Sequence, residues 1–329
     1  MRLRYSTLLA FLLLCPPAVS GQDTWYGSVS GMHFMYNPAY AGATGNSVMN
    51  LSAFSFLPAG GFGLRSVYAS ADSYVPLLHG GAGIWMSDDM TGEVMNDFRA
   101  GASYAYHLRA GRDLYFNAGL TASLIWRGIS RGSIILPDDI DPFRGITGGS
   151  SDYAGPGNIA RFDLGVGVSF ATGPWYGGVS VMHLTRPQLG DDQQAHNRLA
   201  RLLNVTAGSS FSPGNGKLTV SPYATLAVQG SDLTLHAGAE AGFGDLLFGL
   251  SAWHSFSVEG KDHYGGFTTV QPAAGWSTGS VKIILSYSYA VAGNNFAFGG
   301  TAIVRAGLSL AFNNVEKRRV IHIIKLPLL

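Results

Sequence analysis

Charge is scarce in this chain of 329 residues, at 12% of the sequence, about half the ~25% of an ordinary soluble domain. A surface that water must wet is hard to build from so few charges. A single cysteine leaves no intrachain disulfide to staple a small scaffold. Beyond the first twenty residues no apolar run reaches the ~18 residues of a membrane-spanning helix. The formal net charge of +1 gives no reason to expect nucleic acid as a partner. The nine histidines form no His-Glu-x-x-His pair, no serine sits in a Gly-x-Ser-x-Gly elbow, and no glycine cluster makes a phosphate loop. Enzyme chemistry and a bound cofactor therefore have no anchor in the sequence, and none is expected. What remains is 47% hydrophobic residues, 45 glycines and 12% aromatics, with the apolar residues dispersed by alternation. In a membrane, that pattern requires a closed β-barrel, because every backbone polar group must be paired within the protein.

The first 21 residues read as a secretory signal peptide. Arg2 and Arg4 precede the apolar "LLAFLLLC", and Ala18-Val19-Ser20-Gly21 offers small residues for cleavage. Leu14 before Cys15 argues against lipidation, which needs a small residue there.

Six segments alternate clearly. Phe98 to Leu108, Leu114 to Trp126, Phe162 to Phe170, Leu233 to Phe243, Val281 to Val291 and Ala302 to Phe312 each carry an apolar face without one Asp, Glu, Lys or Arg. Several reach the length of a membrane strand rather than the ~5 or 6 residues of a sandwich strand. Weaker candidates lie at 49–56, 62–72, 80–88, 175–184, 198–211, 217–229, 245–257 and 263–274. The expectation is an all-β protein: an outer-membrane antiparallel β-barrel of about 14 strands over 48–312, with an N-terminal plug segment at 22–47 and a tail at 313–329 on the periplasmic side. Long connections (129–160, 185–197, 258–262, 292–299) follow odd strands and short ones follow even strands, which places the long loops outside the cell.

The faces opposite the apolar ones carry Arg99, Arg127, Arg161, Asp163, Glu240 and Arg305. These are lumen-facing charges, either ion pairs that fill the barrel or determinants of ion selectivity. In the longest loop, Asp138, Asp139 and Asp141 precede Phe143. Their oxygens suit a hard cation, but the spacing is not that of an EF-hand, and Pro142 suggests a structural turn. Asp88 and Asp89 before Gly92 read as a hairpin turn.

The stretch "HFMYNPAYAG", 33–42, lies outside the alternation. Asn37, Pro38, Ala39, Tyr40 and Gly42 compose a turn, since proline restricts its predecessor and Gly42 is free to take a positive φ. Asn-Pro-Ala-Tyr-Ala-Gly just after a signal peptide resembles the start of the PorP/SprF family of type IX secretion outer-membrane proteins. "DDMTGEV" (88–94), "YAYHL" (104–108), "LPDDIDPF" (136–143), "GGVSVMHLTRPQL" (177–189) and "YSYA" (287–290) resemble family signatures in family order. The family's Arg-Gln-Trp near the first hairpin and Gly-Ser-His-Glu before the last strand are missing. The resemblance implies a non-enzymatic barrel that works with periplasmic ring components and assists secretion or anchoring of a surface adhesin client, seated in outer-membrane lipid. It also implies that the Asn-Pro segment folds inward as a hatch, as in fatty-acid channels. The alternative is an outer-membrane transporter of hydrophobic or small solutes resembling those channels, which the polar lumen faces disfavour. An outer-membrane hydrolase is the remaining reading.

Overall fold

The computed structural model describes residues 32–58, 63–92, 94–129, 140–141, 143–146, 158–190, 198–213, 217–257, 267–292 and 301–312. The expected signal peptide, residues 22–31 and the tail from 313 lie outside them.

Fourteen strands close into one antiparallel barrel. In chain order they are β1 (Ser47–Pro58), β2 (Leu64–Val75), β3 (Gly80–Thr91), β4 (Met95–Arg109), β5 (Leu114–Ile129), β8 (Asn158–Thr172), β9 (Trp175–Met182) and β10 (Leu202–Ser209). They continue with β11 (Leu218–Gln229), β12 (Asp232–Phe243), β13 (Leu246–Ser257), β14 (Phe267–Thr278), β15 (Val281–Ala292) and β16 (Thr301–Phe312). A two-residue hairpin, β6 (Ile140–Asp141) with β7 (Gly145–Ile146), stands apart in the β5–β8 connection. Each barrel strand pairs with its neighbours in sequence, and β1 zips to β16 from Ser47↔Phe312 to Pro58↔Thr301. Closure leaves no edge strand in the sheet, which is what the hydrocarbon interior demands. At ~3.3 Å per residue a 12-residue strand is ~40 Å long, enough to cross ~30 Å of hydrocarbon at a tilt of ~40°.

The alternation in sequence becomes two faces. Along β8 the side chains of Phe162, Leu164, Val166, Val168 and Phe170 point outward and are exposed, while Asp163 and Ser169 are buried within. The same parity holds in β5 and β15. Connections at one end are mostly short, as at 110–113, 173–174, 244–245 and 279–280, while the longest, 130–157, 183–201, 258–266 and 293–300, lie at the other end, beside tight turns at 92–94 and 230–231. The short-turn end of such barrels faces the periplasm. Asp88 and Asp89 are a correction: both sit within β3, and the turn falls at Gly92, whose φ is +59°. Only glycine enters that region cheaply, so the strand runs on until it meets one.

The buried apolar core lies inside the barrel. Met32, Phe34, Tyr36, Tyr40, Ala41 and Ala43, all preceding β1, pack against wall residues such as Phe54, Tyr68, Trp85, Tyr176 and Met182.

Candidate functional site

Residues 32–46 make one turn of α-helix, His33–Tyr36, and a 3-10 turn, Pro38–Tyr40. Neither is long enough to be stable alone. Asn37 joins them in an extended conformation, φ −141°, as its proline successor requires. Its Oδ1 accepts the Ala39 N–H at 3.0 Å and its Nδ2 donates to the Val168 carbonyl of β8 at 3.3 Å. Three more bonds tie the segment to the wall. Ser180 Oγ donates to the Tyr36 carbonyl at 2.6 Å, and the Gly42 N–H donates to Asp72 Oδ2 at 2.8 Å. His107 Nε2 lies 3.1 Å from the Ala41 carbonyl, which can only accept, so that nitrogen carries the proton.

The seat itself is made by missing side chains. Gly119 of β5 and Gly167 of β8 face inward, and a Cβ at either would overlap the Pro38–Ala39 peptide or the Asn37 amide. A Cβ at Gly81 of β3 would overlap the Ala41 carbonyl, and one at Gly178 of β9 would come 2.6 Å from Asn37 Nδ2 and 2.8 Å from Tyr40 Oη. Glycine inside a strand costs stability and marks close approach of another backbone. Here that backbone is Asn37–Gly42. Gly42 completes the fit with φ +65° and its Cα against Gly81. Burial within this seat raises the Tyr40 phenol above its usual range. His33 is held down to about 3 by burial first, then by the positive charges of Lys282 and Arg305.

The charges read as lumen-facing fall in four places. Arg127 makes a two-pronged bond to Asp97, Nε to Oδ1 and a terminal nitrogen to Oδ2, both 2.6 Å, next to buried Arg99. Asp163 holds His183 Nδ1 at 2.6 Å and the Thr185 hydroxyl at 2.7 Å. Glu240 and Arg305 are buried on the opposite wall, where the Arg305 guanidinium stands 5.6 Å from the centre of the Phe54 ring. Arg161 is exposed at the long-loop end and donates to the Ala160 carbonyl. Asp138, Asp139 and the Asp141 side chain lie outside the described residues, and Phe143 stands 98% exposed beside β7. After β9 the chain turns inward through His183 and Arg186, both at positive φ, and buries Leu189 and Leu199 against Ile125 at the mouth.

Sequence reading missed the four seat glycines, His107 and the Asp97 and His183 partners. Gly167 was detectable: it interrupts the inward face of "LGVGVSF", where a side chain would otherwise be affordable.

Comparison with solved structures finds the same architecture. The monoaromatic hydrocarbon channel CymD superposes with a TM-score of 0.51 at 11% identity, over 87% of this chain and 94% of that one. The P. putida toluene transporter TodX gives 0.50 at 12% identity, over 91% and 96%. At such identity the likeness is one of fold. No curated protein matches. The family model for the type IX secretion system membrane protein PorP/SprF matches residues 18–304. The chain belongs to that family.

Proposed function

We propose that this barrel is a client-specific outer-membrane component of a type IX secretion machine, with the Asn37–Gly42 segment as a fixed hatch in its lumen. The observation that carries the reading is the family match over 18–304 taken together with the docked segment. A wall with four side chains deleted to admit six residues of backbone is built for permanent occupation rather than for free passage of solute. The short-turn end faces the periplasmic ring components, and the long connections 129–160 and 185–197 present contacts to an exported surface protein, since their length exceeds what joining two strands requires.

The test compares surface and medium proteomes of a deletion strain complemented with full-length protein or with either loop shortened to a tight turn. The expected result is a surface protein lost to the medium or kept in the cell, with barrel assembly intact. An unchanged surface proteome together with failed uptake of a hydrophobic solute would replace this reading with that of a transporter.

A further inference from the structure

A charge on the lipid face of a barrel is costly at mid-depth, and the outward faces of this one hold almost none. Among the described strands, only Arg65 of β2 and Asp88 of β3 carry a formal charge at lipid-facing parity, in line with Val67 and Ala69 and with Ile84 and Met86. The two are opposite in sign and adjacent near the long-loop end: Arg65 pairs with Met90, and Asp88, two residues on, pairs with Val67. Among the described residues, neither side chain makes a hydrogen bond or an ion pair.

Their heights follow from the register. The row Leu51, Ala69, Met86, Ala100 and Leu124 begins in the short-turn half of β1 and ends in the long-loop half of β5, so rows climb in chain order. At a tilt of ~40°, one strand along a row gains ~3 Å of height, and two residues back along a strand lose ~5 Å. Arg65 and Asp88 therefore lie within ~2 Å of one level. The same reckoning sets Met86 level with Ala53 of β1, since Ala53 pairs with Val67 and Val67 with Asp88. The ground below the charges is low. Ala69 and Ala71 floor a hollow of about 840 Å³ beside Met86, with no charged residue in its lining, and exposed Ala53 and Ala306 continue it across β1 and β16. Two convex cylinders touch along a line unless small side chains let the backbones close, which is why membrane interfaces collect small residues.

We propose that this face, from β16 through β1 and β2 to β3, joins two copies of the chain about a two-fold axis that runs along the membrane normal past Val67. In a two-fold contact residue i meets j and j meets i. A cation and an anion at one level on either side of the axis then meet their opposites, so Arg65 of each copy reaches Asp88 of the other. Met86 of each copy falls over Ala53 and Ala306 of the other, tall side chain on low ground. An anionic lipid on the same face would match Arg65 and be repelled by Asp88. The contact lies outside the barrel and stands whether the lumen serves secretion or transport.

The experiment is native mass spectrometry of the barrel purified in mild detergent, with the wild type beside Arg65→Asp and Asp88→Arg. The wild type is expected as a dimer. Each single variant sets like charges together at both contacts and weakens the dimer about tenfold or more. Co-expressed, the two variants set opposite charges together at both contacts, so a heterodimer returns at wild-type strength and is identified by its mass. An ion pair closed within one chain could not be rescued in this way. Ala53→Phe with Ala69→Phe, apolar changes at lipid-facing positions, weakens the dimer by holding the backbones apart. Heat-modifiable migration confirms that each variant is a folded barrel. A monomeric wild type, with or without bound lipid A, overturns the proposal. So do single charge variants as dimeric as the wild type, or a co-expressed pair that fails to recover the dimer.

Discussion

The two halves of the inner wall share an outward face and differ inward. From β3 to β9 the lumen side has glycine at Gly81, Gly119, Gly167 and Gly178, and the N-terminal backbone lies where side chains would be. From β11 to β16 the lumen side carries Tyr223, His236, Glu240, Trp253, Gln271 and Arg305, all buried. There the ring of His236 packs edge-on between Tyr223 and Trp253, with centroids 5.3 and 5.9 Å away. Glycine on that side serves its own neighbours: a Cβ at Gly238 would meet Ser251 and Tyr223. One half of the barrel is thus filled by its own side chains and the other by a separate piece of chain. Outward positions obey a single rule, apolarity, whereas each inward position answers to whatever stands opposite it.

The largest expected effect tests the outward rule. Val166→Arg places a charge on the lipid face of β8 and should cost about 2–4 kcal/mol in urea titration of the membrane-inserted barrel. Stability equal to the wild type would reverse the assigned faces. Next comes the seat. Gly119→Val should cost about 1–3 kcal/mol if the segment stays, or release it if it does not. Chymotrypsin reads the difference, since Phe34, Tyr36 and Tyr40 are buried in the wild type and become cleavable on release.

How much of this was legible beforehand follows from the same contrast. Every barrel strand was readable because period-two alternation is a local signal, repeated along each strand and enforced by lipid on one side. The positions of the long connections followed from it. Boundaries drifted where no lipid-facing residue marks them: residues 198–201 read as strand but serve the mouth, where the Leu199 N–H bonds the Pro187 carbonyl. The Asn-Pro-Ala-Tyr-Ala-Gly turn was visible as a motif. Its seat was not, because four glycines on four strands, 11 to 97 residues apart, look like ordinary strand glycines until the sheet closes. The pairing of Asp163 with His183 escaped for the same reason, being a contact between β8 and the chain just past the end of β9, whose inward bend has no local signature.

Smaller effects sharpen the comparison. Asn37→Ala removes both the Ala39 N–H acceptor and the bond to Val168, and should cost about 0.5–2 kcal/mol of docking, read as partial chymotrypsin sensitivity. A pH effect accompanies it. Docked His33 is held at about 3 against 6.5 when free, so the docked segment excludes a proton that the released segment binds. His33 therefore supports docking fully above pH 6.5, and that support falls away as pH drops from there toward 3. Cleavage by pepsin, which is active in acid and also cuts at aromatic residues, should rise as pH falls in the wild type and rise less in His33→Gln. The smallest effect is expected at Gly307→Ala on β16, where a Cβ would find its nearest neighbour, Ser52 Oγ, at 3.4 Å. Stability should change by no more than about 0.5 kcal/mol. A cost as large as that at Gly119 would erase the distinction between the two walls.

Planar-bilayer conductance tests the hatch most directly, in the wild type and in Gly119→Val side by side. The hatch account expects low, quiet conductance from the wild type and a large increase when the seat is filled and the Asn37–Gly42 segment is displaced. A large, steady conductance from the intact protein, or no difference between the two, would contradict it.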